Sequence, residues 1–124
     1  MKFDKSPAWL VDLFVALQPE AGGTFRRMFS YPAAWANGYL YSGLFGATLY
    51  VHLGEQLGSQ LLKLPGSARF DPAERGKGST KYFVLPDSML EDEEETLRWM
   101  RRGFEYVSSL PAKIKKPKKK KKKS

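Results

Sequence analysis

The sequence predicts an α+β domain in which helices and antiparallel strands occur in separate runs. Three observations support this prediction. Residues 7–18 show apolar spacing typical of a helix, residues 24–53 are rich in aromatic and alternating positions, and residues 92–109 again show helical spacing. The predicted order is helix, antiparallel β-meander of three or four strands, helix, strand and helix. With 42% hydrophobic and 14% aromatic residues in 124, the chain can bury one core.

The first helix is predicted over residues 7–18. Ser6 suits the N-cap and Pro7 suits the first helical position. Pro19 and the glycine pair at 22–23 are expected to end the helix. The side chains expected to form its buried stripe are Leu10, Leu13, Phe14 and Leu17.

The meander begins with a strand predicted over residues 24–29, and Pro32 predicts a bend, a bulge or a sheet edge. Asn37 and Gly38 predict a two-residue hairpin turn, because both central positions of a type I′ turn need positive φ. A second turn is expected at 46–48. Strict alternation between these turns would place on one face Tyr39, Tyr41, Gly43 and Phe45.

The second half is predicted to contain a short helix at 55–63, a turn-rich loop at 65–80 and a strand within 81–86. Leu57, Leu61 and Leu62 are expected to point inward from the short helix. Asp92 and Glu95 have the spacing of a capping box, so the last helix is expected to run from there to about Ser109. Its predicted core stripe is Leu97, Met100, Phe104 and Val107, with Trp99 and Tyr106 on one flank.

Several patterns invite a catalytic or metal-binding interpretation, and each has a simpler one. The segment RGKGST at 75–80 lacks the Ser or Thr after Gly-Lys that a phosphate-binding loop needs, so a loop is favoured. The acids at 91–95 suit a solvated helix start. His52, the single histidine, is expected to be structural or exposed and to face away from Val51 and Leu53. We therefore predict no catalytic residue, no metal site and no cofactor.

The aromatic residues of the meander have two interpretations. They can form a stacking platform for nucleic-acid bases, or they can pack the core and one sheet face. Packing is favoured, because only Arg26 and Arg27 lie near them in sequence. The residues concerned are Tyr31, Trp35, Tyr39, Tyr41 and Tyr50.

The net charge of +8 is confined to the C-terminal end. Residues 1–110 contain twelve lysines and arginines against thirteen acids, whereas residues 111–124 contain nine lysines and no acid. We expect a disordered tail after a domain at 1–110, because like charges repel and no apolar face exists. The tail is predicted to bind nucleic acid without sequence preference, the alternative being a solubilising role. The predicted contacts are Lys113, Lys115, Lys116, Lys118, Lys119, Lys120, Lys121, Lys122 and Lys123.

Cysteine is absent, which excludes disulfides, cysteine-based zinc sites and thiol chemistry. The N-terminus shows no signal-peptide pattern, and the apolar runs are too short to span a membrane. We expect a cytoplasmic protein without membrane contact.

Four segments together resemble the TfoX/Sxy N-terminal domain family, over about residues 8–110. They are RRMFSYPAAWANGYLYSGLFGATLYVHL at 26–53, LPGSARFDP at 64–72, KYFVLPDSML at 81–90 and ETLRWMRRGFEYVSSLP at 95–111. The chain is most similar to small stand-alone bacterial members with a Lys/Pro-rich tail. Positions that match the family motif, expected to be mostly architectural, are Arg27, Met28, Phe29, Pro32, Asn37, Gly38, Pro86 and Trp99.

The resemblance implies a secretion-chaperone-like α+β fold and a non-enzymatic regulatory or interaction role, with a regulatory protein as a possible partner. Longer members linked to DNA-uptake competence have a second, C-terminal domain, for which this sequence shows no segment. Two alternatives stay open. One is a small-molecule-binding protein or enzyme that uses the aromatic sheet face, His52 and the pair Arg26 and Arg27. The other is a homodimer formed through an exposed strand edge.

Overall fold

The computed structural model describes residues 5–76 and 78–112. It confirms the α+β class, with a six-stranded antiparallel sheet and four helices. In chain order the elements are α1 (Ala8–Ala21), β1 (Thr24–Phe25), β2 (Ala33–Ala36), β3 (Tyr39–Phe45), β4 (Thr48–His52), α2 (Gly54–Leu61), β5 (Ala68–Arg69), β6 (Tyr82–Val84), α3 (Asp87–Leu90) and α4 (Glu93–Ser108).

The strand order across the sheet is β1-β2-β3-β4-β6-β5, and every neighbouring pair is antiparallel. The expected meander is therefore confirmed in β1 to β4. The Asn37-Gly38 turn is confirmed as well, with φ of 55° and 83°. The loop predicted over 65–80 instead contributes the edge strand β5, which pairs with β6. Two-residue strands such as β5 are too short to show a period of two in the sequence.

Helix α1 buries the predicted stripe of Leu10, Leu13, Phe14 and Leu17, but both of its ends differ from the prediction. Ser6 is not the N-cap: its hydroxyl donates to the Gly46 carbonyl at 2.6 Å, and Pro7 holds the cap position. Pro19 does not end the helix, which continues to Ala21. A proline inside a helix removes the hydrogen bond to the carbonyl four residues earlier. The turn after Pro19 still forms, since the Gly22 N–H donates to the Gln18 carbonyl at 3.1 Å.

Between β1 and β2 the chain forms a second tight hairpin that the sequence did not predict. Phe29 and Ser30 both have positive φ, 54° and 71°, and Met28 pairs with Tyr31 in both directions, with N···O distances of 2.9 and 3.0 Å. The strand expected at 24–29 therefore ends at Phe25. Phe and Ser are poor indicators of such a turn, which Asn and Gly usually form.

The β2–β3 pairing contains a register shift that reverses the expected orientation of one aromatic residue. Ala34 pairs with Ser42 and Trp35 pairs with Leu40, so Tyr41 is an extra residue opposite β2. Its ring contacts Phe104 of α4 edge-on, with 5.7 Å between ring centroids, and its hydroxyl donates to the Gly22 carbonyl at 2.6 Å. Tyr41 therefore leaves the face that strict alternation assigned to it, as is usual at a β-bulge.

Helix α4 packs on the sheet with a face rotated from the predicted stripe. Met100 and Val107 are buried as predicted, but Leu97 and Phe104 are only half-buried, and Trp99 is buried rather than flanking. Gly103 lies at the contact with β4, where a Cβ atom would overlap Val51. The helix comes closest to the sheet at a glycine, which does not count as apolar in a pattern of hydrophobic residues. The spacing of large apolar residues therefore did not identify the buried face of α4.

Candidate functional site

A cluster of aromatic rings lies on the sheet face opposite α4. Val51 faces α4, so its strand neighbour Tyr50 faces the other way. Tyr50 stacks on Phe70, with 4.5 Å between ring centroids and 22° between planes, and meets Tyr82 edge-on at 5.7 Å. Phe45 adds an edge-on contact to Phe70 at 5.8 Å. These contacts join β3, β4, β6 and the segment after β5.

The cluster surrounds a cavity of about 280 Å³. Its walls are almost entirely apolar, and none of the described residues that line it has a charged side chain. The lining residues come from the 28–31 turn, β3, β4, the 70–73 segment and β6: Met28, Phe29, Tyr31, Leu40, Leu44, Phe45, Tyr50, Phe70, Pro72, Ala73 and Tyr82. This cavity is the candidate site, since small-molecule sites are concave, mostly apolar and largely pre-formed.

Two irregular segments complete the cavity. The turn with positive φ at Phe29 and Ser30 brings Met28 and Phe29 to its edge, and the Phe29 side chain is 71% exposed. On the other side Asp71 orders the loop, because its carboxylate accepts hydrogen bonds from the backbone N–H groups of Arg75 at 3.1 Å and Gly76 at 2.8 Å. The segment predicted as a plain loop therefore supplies Phe70, Pro72 and Ala73. The single sequence signal was an isolated aromatic, Phe70, among turn residues.

The hydroxyls of Tyr50 and Tyr82, in the wall of the cavity, stay neutral. Burial raises the pKa of Tyr50 above its ordinary value of 10.0, and the neighbouring Tyr82 raises it further. Burial also raises the pKa of Tyr82, whose hydroxyl donates to the Leu40 carbonyl at 3.0 Å. The site therefore offers rings and uncharged hydroxyls, not ions.

The residues of the alternative small-molecule hypothesis do not all line this cavity. His52 is buried among the rings of Tyr39, Tyr82 and Tyr106, at centroid distances of 6.1, 4.7 and 5.5 Å. Arg26 lies over the Trp35 ring at 4.3 Å instead. The cavity lining includes neither His52 nor the two arginines. This cavity therefore does not bring all of these residues together.

The packing interpretation of the meander aromatics is confirmed for Tyr31, Tyr41 and Tyr50, which are all buried. Tyr41 contacts α4 while Tyr50 lies in the cavity wall, so they do not present a common surface for stacking bases.

Burial raises the pKa of Tyr41 to about 12, and a hydrogen bond with Gln18 opposes that shift.

Asn37 has a role beyond the turn that it forms. Its side-chain amide donates to the carbonyls of Val107 and Leu110, both at 2.8 Å, and so closes the C-terminal end of α4. Nearby, the Tyr39 hydroxyl donates to the Pro111 carbonyl at 2.9 Å. The hairpin thus holds the end of the last helix.

The other motif positions also have defined places. The Pro32 carbonyl accepts from the Leu44 N–H at 3.1 Å, and Pro86 precedes α3. The Arg27 guanidinium donates to the Ser30 carbonyl at 3.0 Å, across the tight turn. The Trp99 indole N–H donates to Glu95 at 3.1 Å, and the Arg102 guanidinium lies over its ring at 4.5 Å.

The acidic run at 91–95 acts at the start of α4. The Asp92 carboxylate accepts from the Glu95 N–H at 3.2 Å, as in the predicted capping box, but the Glu95 side chain pairs with Arg98 and Trp99 instead of closing the box. Within residues 5–76 and 78–112, no group of three or more acids, histidines or cysteines is placed to hold a metal ion.

Comparison with known proteins adds one finding. The model of the TfoX N-terminal domain matches residues 16–106, most of the chain. The chain belongs to the TfoX N-terminal domain family. No curated protein and no solved structure matches the chain. Membership in this family supports, in general terms, a regulatory or interaction role for the domain. The family is not known as one of enzymes.

Two further predictions concern membranes and the tail. Across the described part of the chain, no helix has the length and hydropathy needed to cross a bilayer. The nine tail lysines, from Lys113 to Lys123, lie outside the described residues. The last described residues, Pro111 and Ala112, follow the end of α4, where Pro111 accepts the bond from Tyr39.

Proposed function

We propose that this TfoX N-terminal domain is a cytoplasmic regulatory or interaction module that its lysine-rich tail holds on nucleic acid without sequence preference. The observation behind the proposal is the separation of charge. Residues 1–110 have a net charge of −1, and residues 111–124 contain nine lysines and no acid. Lysines that neutralise phosphates release counter-ions, so this arrangement favours binding to a polyanion through the tail alone.

The tail begins close to a fixed point of the domain. Asn37 and Tyr39 bind the carbonyls of Leu110 and Pro111, so the last residue of the domain and the first residue of the tail are held against the sheet. A bound tail would therefore keep the domain within a few nanometres of the nucleic acid, since twelve further residues span at most about 40 Å. The domain surface stays available to a regulatory protein partner.

The test is binding to a labelled random DNA duplex at several salt concentrations. The matched variant is the full-length chain with all nine tail lysines changed to glutamine, which keeps the length and removes the charge. We expect wild type to lose affinity steeply with salt, with a slope of roughly −0.9 per neutralised phosphate, and the variant to bind at least about 100-fold more weakly at low salt.

The control variant changes Arg26 and Arg27 to glutamine and should bind DNA as wild type does. These arginines lie at the aromatic meander, so a loss of binding there would assign the contact to the sheet. If the nine-glutamine variant binds as tightly as wild type, the tail is not the anchor and the proposal fails.

The homodimer alternative depends on the sheet edges. The edge strands β1 and β5 have two residues each, so each edge offers few backbone groups to a second copy. Light scattering over a range of protein concentrations measures whether the chain is a monomer or a dimer. A dimer would mean that a second copy occupies one surface of the domain, which a protein partner could then not use.

A further inference from the structure

We propose that the cavity between the 28–31 turn, the sheet and the 70–73 segment binds a small uncharged aromatic molecule of one or two rings. This proposal goes beyond the nucleic-acid function and does not depend on the tail. It is based on the volume of the cavity, the chemistry of its walls and the geometry of its edge.

The volume sets the size of the ligand. An engineered cavity of about 150 Å³ with Leu, Ile and Phe walls binds benzene, and the cavity here has about 280 Å³. Two fused rings fit such a space, whereas a nucleotide or a long acyl chain exceeds it. The value lies just below the usual range for sites of drug-sized ligands.

The walls set the charge of the ligand. None of the described lining residues is charged, and the Tyr50 and Tyr82 hydroxyls remain protonated at neutral pH. A carboxylate or ammonium group placed inside would lose its hydration without gaining a partner of opposite charge. The ligand is therefore neutral, with at most one or two polar atoms that can meet a tyrosine hydroxyl.

The ring arrangement favours an aromatic ligand over an aliphatic one. Tyr50 and Phe70 are stacked at 4.5 Å, while Tyr82 and Phe45 present edge-on contacts at 5.7 and 5.8 Å. A further ring can continue the same edge-to-face pattern, which stabilises aromatic pairs beyond the area they bury. Met28 adds a thioether, which also packs well against rings.

The edge of the cavity is formed by a strained turn. Phe29 has a φ of 54°, which is unusual for a large side chain, yet its side chain is 71% exposed. Core burial therefore does not explain the conformation. Strain of this kind is often retained where it places a side chain beside a ligand.

The test is calorimetric titration of the full-length chain with indole, an uncharged two-ring probe, and with indole-3-carboxylate as its charged counterpart. The blocking variant is Ala73→Trp, which adds a side chain at an exposed lining position; the matched control is Ala8→Trp, at the exposed start of α1. We expect indole to bind wild type and Ala8→Trp within about twofold of each other, and Ala73→Trp and the carboxylate each to weaken binding at least about tenfold.

Thermal unfolding of each variant shows whether it is folded, and Phe29→Ala gives a second test at an exposed position, with binding expected to weaken several-fold. Absence of indole binding up to its solubility limit overturns the proposal. So does equal affinity for the two probes, or an Ala73→Trp variant that binds like wild type. If wild type instead dimerises and Ala73→Trp abolishes the dimer, a second copy fills the cavity and the proposal is also wrong.

Discussion

Asn37 shows how one residue can serve two levels of structure. Its φ of 55° forms the β2–β3 turn, as the Asn-Gly pair predicts, and its side chain also donates to the Val107 and Leu110 carbonyls. The partners lie 70 and 73 residues away in sequence. No local pattern connects positions so far apart, so the turn was predictable and the helix-closing contact was not.

Substitution of Asn37 separates these two roles. Asn37→Gly keeps the turn but loses both hydrogen bonds, and we expect it to lower the free energy of unfolding by about 1–3 kcal/mol. Asn37→Ala also strains the positive φ, so it should cost about 1 kcal/mol more. Urea unfolding measures both values. Equal stabilities for Asn37→Ala and wild type would show that neither the turn nor the contact matters.

At the scale of elements, α4 shows why helical periodicity located the helix but not its buried face. The spacing of Met100 and Val107 indicates a helix correctly. The face is decided by Gly103, which lets the helix approach β4 until its backbone meets Val51, with the His52 carbonyl 3.2 Å from where a Cβ would lie. A glycine adds nothing to an apolar stripe, so the sequence does not show this contact.

Gly103→Ala tests the close approach. In an isolated helix this change gains up to about 1 kcal/mol of propensity. Here we expect a net loss of about 1–3 kcal/mol in the free energy of unfolding, because the new methyl group overlaps Val51.

The control is a double-mutant cycle with Val51→Ala, which makes room for the methyl group. The double variant should be more stable than the sum of the single changes predicts, by at least about 0.5 kcal/mol. Additive effects would mean that Val51 and Gly103 do not limit the approach of α4 to the sheet.

At the scale of the whole molecule, the hairpin at 37–38 joins the sheet to the end of the last helix and to the residues that follow it. The predicted boundary at residue 110 falls inside this contact, since Tyr39 binds the Pro111 carbonyl and Asn37 binds Leu110. Leu110 also packs against the core. We therefore propose that the folded domain extends at least to Pro111.

Truncation tests this boundary. A chain that stops at Ala112 should match the full chain in free energy of unfolding to within about 0.5 kcal/mol, as expected for removing surface residues. A chain that stops at Ser109 loses the Leu110 side chain and the carbonyls of Leu110 and Pro111, which accept hydrogen bonds from Asn37 and Tyr39. It should be less stable than the full chain by about 1–3 kcal/mol. Urea unfolding of the full chain and the two truncated chains measures these differences. If both truncations lower the free energy of unfolding equally, residues after Ala112 contribute to the folded domain.

The sequence by itself determined the α+β class, the buried stripe of α1, the Asn37-Gly38 turn and the family, because these depend on spacing and turn chemistry within short segments. The tertiary structure alone decided the 28–31 hairpin, the orientation of Tyr41, the edge strand β5 and the cavity. The hairpin is local, but Phe29 and Ser30 do not indicate positive φ in a sequence. The other three features depend on contacts between distant segments, as when Phe70 of a loop stacks on Tyr50 of β4. Periodicity records which side of an element is apolar, but not which distant segment covers it.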